Sequence, residues 1–160
     1  MASKKRDAEH SARLDLEAHA KSIREGLQVP KQNELFRASI EAAYLAALAD
    51  GEVDDDERTA MVRAVELLSE GAVIEWEAET LVDDCAARAE AQGIPARAQA
   101  VGQELSALGQ AQAGLYVAAV VARASKGIDK QEADVLKAVG AAAGLSAEAV
   151  KEIVKKAGSL

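Results

Sequence analysis

The sequence predicts an all-α fold, a compact bundle of about seven to eight helices, and three observations carry that expectation. Aromatic residues are only 2% of the 160 residues while hydrophobic residues are 49%. The core must therefore be built from Ala, Leu and Val, and alanine is the strongest helix former, with no side-chain entropy to lose. Apolar residues recur at three- and four-residue spacing along most of the chain, and no stretch alternates with a two-residue period for long enough to specify a strand.

Taken in order, the elements are as follows. Leu16, Ala20, Ile23 and Leu27 line one helical face, and Val29-Pro30 interrupts that segment. From Lys31 to Ala49 the stripe Phe36, Ile40, Ala43, Ala47 is widened by Tyr44, Leu45 and Leu48, so this helix is expected to be largely buried. Asp50-Gly51 stops it. A further helix begins near Asp54 and turns Met61, Val62, Val65 and Leu68 inward, and "SEGAV", Ser69 to Val73, reads as a loop. The next runs from about Glu75 to Ala91 and closes at Gly93. Pro95 suits the first turn of another, which fades near Gly109. The segment through Val117, Val120 and Val121 is apolar nearly all round and is expected to be central. A helix from Asp129 to about Ala143 follows, broken by Gly144, and Ser146 caps the last one, which ends near Ala157.

Charge and cysteine usage narrow the function classes. The net charge is −8, carried by residues 1–80, which hold 10 Lys/Arg against 18 Asp/Glu. Residues 81–160 hold 9 of each. Nucleic-acid binding rests on Lys and Arg neutralising phosphates, so it is not expected of so acidic a chain. Lys4, Lys5 and Arg6 read as a solvated basic start. Cys85 is the only cysteine, so no intrachain disulfide exists and a reducing, cytoplasmic setting is expected. No secretory signal is read at the N-terminus. The most apolar run, Ala113 to Ala124, falls short of the roughly 20 residues a membrane span needs, so no membrane insertion is expected.

The chain contains an echo. "LAALADGEVDDDERTAM" (Leu45–Met61) aligns with "VARASKGIDKQEADVL" (Val121–Leu136). Gly51 pairs with Gly127 at an offset of 76. After one deletion the offset is 75, pairing Val53 with Ile128, Asp54 with Asp129, Glu57 with Glu132 and Met61 with Leu136. Both copies read helix, glycine, aliphatic residue, Asp-x-x-Glu, helix. A duplicated helical hairpin with approximate two-fold pseudo-symmetry is the expected arrangement.

"AALADGEVDDDE" before an apolar helix, with a second such motif some seventy residues on and then "GLSAEAV", resembles the TerB-like tellurite-resistance domain. The resemblance spans roughly residues 31–158, with repeats at about 31–91 and 109–158, and leaves residues 1–30 as an N-terminal helix and linker. It implies a small non-enzymatic accessory domain in stress or metal resistance, binding metal through its acidic motifs. Those acids map onto Asp50, Asp54 and Glu57, with Asp129 and Glu132 as a weaker second copy. Lys126 departs from the pattern, standing where the second copy should carry the Asp of Asp-Gly.

The same acids have a purely structural reading. Asp54 followed by Glu57 is a capping box, Asp129 and Glu132 repeat it, and Asp55 and Asp56 fall in a first helical turn, where negative charge meets the positive end of the dipole. Asp50 and Glu52 are left over. Asp50 sits at a helix C-terminus, where an acid is unfavourable by about 0.3–1 kcal/mol, whereas Lys126 is the charge a bare helix end prefers. A bound cation or a basic partner surface offsets that repulsion. An all-oxygen ligand set selects calcium, magnesium or manganese over zinc. An EF-hand is excluded by position: counted from Asp50, the sixth residue is Asp55 and the twelfth Met61, where glycine and glutamate are required.

Other chemistry is not legible. Cys85 lies among acids that raise a thiol pKa and reads as a core cysteine. Ser125-Lys126-Gly127 lacks the rest of a phosphate loop, and neither His10 nor His19 has a glutamate three residues before it, as a di-iron site needs. Trp76 reads as a core plug that becomes a docking anchor if exposed. No nucleophile–base pair or cofactor motif is present, so an enzyme is not expected. Two functions stand: an interaction module with a protein partner and a divalent cation at Asp50, Asp54 and Glu57, or a structural scaffold or assembly subunit without metal. In the second reading the interface is an apolar helix face such as Leu16, Ile23 and Leu27, and a homo-oligomer is one form it takes.

Overall fold

A computed structural model describes residues 32–49, 51–69, 75–125 and 128–158. Among them the chain is all-helical, with no strand. The helices are α1 (Gln32–Leu48), α2 (Asp55–Ser69), α3 (Glu75–Gln92), α4 (Ile94–Ala107), α5 (Ala111–Ser125), α6 (Lys130–Ala142) and α7 (Ala147–Ala157). Each expected helix in this range is present, with ends shifted by a residue or two. The expected helix through Leu16–Leu27, most of the "SEGAV" loop, and Asp50, Lys126 and Gly127 lie outside the described residues. So do the side chains of Leu68 and Trp76.

Local chemistry sets the helix ends. Pro95 occupies the first turn of α4, where a missing N–H costs nothing. The same helix closes at Gly109, whose φ is +69°, with Gly109 N–H bonded to the Ser106 carbonyl and Gln110 N–H to that of Leu105. Gly144 ends α6 the same way, through Gly144 to Ala141 and Leu145 to Gly140. This paired pattern needs a left-handed residue, which glycine adopts without a Cβ penalty.

The core centres on α1 and α5, the most extensively packed pair in the bundle. Ala38 through Ala47 are all buried, as are Gly114 through Ala122. Alanine faces let the two axes approach closely, and the Ser39 hydroxyl donates to the Gly114 carbonyl across them at 3.0 Å. Phe36, Ile40, Ala43, Ala47, Met61, Val62, Val65, Val117, Val120 and Val121 are buried as their spacing predicts.

Around this pair the neighbours exchange systematically. α2 packs on α5 more than on its own hairpin partner α1, and α6 packs on α1 more than on α5. α3 lies against α1 and α2, and α7 against α5 and α6. α4 stands outside this exchange, packed chiefly on α6 and α1. Its contact with α6 is close because Gly102 faces α6: a Cβ there would lie 2.5 Å from the Ala142 Cβ and closer still to the Val139 carbonyl oxygen.

Candidate functional site

The Asp-x-x-Glu motifs start α2 and α6. Asp54 Oδ1 accepts from Glu57 N–H at 2.7 Å, and Asp129 Oδ1 accepts from Glu132 N–H at 2.8 Å. The aspartate half of each capping box is therefore formed, satisfying a backbone donor that the helix itself cannot. Asp55 and Asp56 sit exposed in the first turn of α2. Ser146 likewise caps α7, accepting from Ala149 N–H at 3.1 Å.

The glutamates are less ordinary. A capping-box glutamate needs only to sit at a helix surface, yet Glu57 is 8% exposed and Glu132 1%. Both aspartates are exposed. Each motif thus runs from solvent at its aspartate to the core at its glutamate, and each glutamate is followed one turn later by a fully buried residue, Met61 or Leu136. Asp54 meets Glu57, and Asp129 meets Glu132, through these caps. Among the described residues no three His, Cys, Asp or Glu side chains form a group able to hold a metal ion. Asp50, the proposed third ligand, lies outside the described residues.

The structure also contains a charged cluster that sequence reasoning missed. Glu41, on α1, is 2% exposed within the alanine-rich core. Arg97, on α4, donates through Nη2 to both of its carboxylate oxygens at 2.8 Å, and through Nη1 to Gln92 Oε1 at 3.3 Å. Arg88, on α3, donates to Glu41 Oε1 at 3.1 Å. The Arg97 side chain is 14% exposed and that of Arg88 38%. One buried carboxylate therefore ties α1, α3 and α4 together. Its hydrogen bond to Arg88 raises that arginine's pKa and holds it charged.

Cys85, on α3, is a buried free thiol near the same cluster, as the sequence suggested. Its pKa is pushed up to about 12, first by burial and then by the negative charge of Glu41, with neighbouring Asp84 a smaller cause. Burial, more than the flanking acids, makes the thiol inert. Tyr44 is also raised, chiefly by burial. On the outer side of the same region Arg58 of α2 pairs with Asp83 and donates to the Glu79 carbonyl on α3.

The signal for the Glu41 cluster was present but incomplete. An acid flanked by Ile40, Ala42 and Ala43, in a helix expected to be largely buried, requires a partner. Nothing local identifies arginines 47 and 56 positions away. Comparison with protein-family models, with curated proteins and with solved structures finds no match to this chain. No described helix is long and apolar enough to cross a membrane.

Proposed function

We propose that this chain is a non-enzymatic helical interaction module of the TerB-like kind, with a protein as its partner and a divalent cation at the first acidic motif. The observation that supports this reading is the matched burial of Glu57 and Glu132, which capping alone does not require. A carboxylate drawn into the core beside an exposed aspartate carries hard oxygen donors of the type that calcium, magnesium or manganese selects. In this reading Asp50, Asp54 and Glu57 hold the ion, and Asp129 and Glu132 form a weaker second copy. The bridge joins the end of α1 to the start of α2 and sets how the acidic hairpin meets its partner. Stress or metal resistance is the setting that the resemblance implies, and the lone cysteine favours a reducing, cytoplasmic compartment.

The second reading is a structural scaffold without metal. It draws on the completed caps, in which Asp54 and Asp129 already bond the helix backbone. Thermal melts of chelator-stripped protein, with each cation added singly, separate the two. A ligand that binds the native state stabilises it by RT ln(1 + [L]/Kd), about 2.7 kcal/mol at a hundredfold excess over Kd. A rise with an oxygen-preferring ion that Asp50→Asn abolishes supports the metal site. An unmoved midpoint, with Asp50→Asn itself stabilising, supports the scaffold.

A further inference from the structure

The exchange of neighbours leaves one seat unassigned. α1, α2 and α3 correspond to α5, α6 and α7, since each packing of the first set recurs in the second. The correspondence extends to single residues of α2 and α6 at the offset of 75. Glu57 and Glu132, Met61 and Leu136, Ala64 and Val139, and Val65 and Gly140 are all buried. Arg58 and Ala133, Ala60 and Val135, and Leu67 and Ala142 are all half-buried. Val62 and Lys137 depart from the pattern, one buried and the other exposed, as do half-buried Glu66 and exposed Ala141.

On α6, Val139 and Ala142 are covered by α4 at Gly102. Their counterparts on α2 are Ala64 and Leu67. Among the described helices α2 packs against α1, α3 and α5, and none takes the place on α2 that α4 takes on α6. Ala64 is nevertheless fully buried. So is every residue of α5 from Gly114 to Ala122, although α4 touches α5 only lightly and packs far more on α1. A counterpart of α4 accounts for both observations.

The sequence supplies one. The face Leu16, Ala20, Ile23, Leu27 recurs as Ile94, Ala98, Val101, Leu105, with a constant offset of 78 at all four positions. In α4 these residues point inward: Ala98, Val101 and Leu105 are buried and Ile94 is half-buried. Connector lengths agree as well. Residues 28–31 separate Leu27 from α1, and residues 106–110 separate Leu105 from α5.

We propose that residues 16–27 of this chain dock in the groove of α2 and α5, beside α7, as the counterpart of α4 on α6 and α1. At the same offsets Arg24 stands where α4 has Gly102, and Leu67 where α6 has Ala142. The seat is an intramolecular docking surface, and the same surface is what a partner helix of this pattern would contest.

The test uses the full chain. Arg24→Cys and Leu67→Cys in a Cys85→Ala background place two thiols at the counterparts of Gly102 and Ala142. Mild oxidation, with a short bis-maleimide in parallel to span a gap too long for a disulfide, is read by mass spectrometry and sedimentation. An intramolecular link in the monomer is expected. Independently, Ile23→Asp should speed amide exchange around Ala64 by about tenfold while leaving Val139 on α6 unchanged. A link only between two chains gives the seat to a second copy and overturns the proposal. Absence of any link, or exchange at Ala64 unaltered by Ile23→Asp, overturns it too.

Discussion

Replacing Arg97 with methionine leaves the Glu41 carboxylate buried with only Arg88 to hold it. Arg97 makes two charge-assisted bonds at 2.8 Å from a side chain 14% exposed, to a carboxylate 2% exposed. Removing one partner of a buried pair costs about 3–5 kcal/mol, because the other charge has already lost its water. Arg88 still donates one bond at 3.1 Å, which places the expected cost near the lower end, about 3 kcal/mol. Arg88→Met should cost about 1 kcal/mol, since that side chain is 38% exposed and solvent screens what it leaves behind. Joint replacement, Glu41→Leu with Arg97→Met, should recover much of the loss, because an apolar pair has no charge to desolvate. Urea titrations followed by far-ultraviolet circular dichroism measure all three. For a domain of this length about 3 kcal/mol corresponds to a fall of roughly 6–12 °C in Tm. The reasoning is refuted if Arg97→Met costs no more than Arg88→Met, or if the joint variant is less stable than Arg97→Met alone.

Further outcomes follow from single contacts. Gly102→Ala should destabilise by about 1–3 kcal/mol despite a better helix propensity, since the added Cβ would lie 2.5 Å from the Ala142 Cβ. A urea midpoint at or above the parent value would contradict the close α4–α6 packing. Asp54→Ala and Asp129→Ala should each cost about 1 kcal/mol through the lost cap, measured the same way. Cys85 should resist thiol reagents at neutral pH at a rate limited by opening of the fold. The folded state raises this thiol from 9.0 to about 12, so its contribution is complete below pH 9 and is lost as pH rises towards 12. The difference in stability between the parent and Cys85→Ala should therefore change across that window and stay flat below it.

The helices, their ends and most of the core were legible in the sequence because their causes are local. A stripe such as Phe36, Ile40, Ala43, Ala47 sets both a helix and its inward face within a few turns. A cap such as Asp129 to Glu132 joins groups three residues apart, and Gly109 and Gly144 end helices within their own last turns. The repeat was equally visible, since it needs only the chain compared with itself. What the sequence could not determine was how deep the acids lie. Glu57 and Glu132 read as capping-box residues and candidate metal ligands, and only tertiary packing takes them into the interior. Glu41 is the sharper case. Its position announces a buried charge, but whether that charge is tolerable depends on arginines brought in from two other helices. Hydrogen bonds within a turn are set by the backbone that carries them. An ion pair between distant helices exists only once tertiary packing has excluded water and brought both charges to one point.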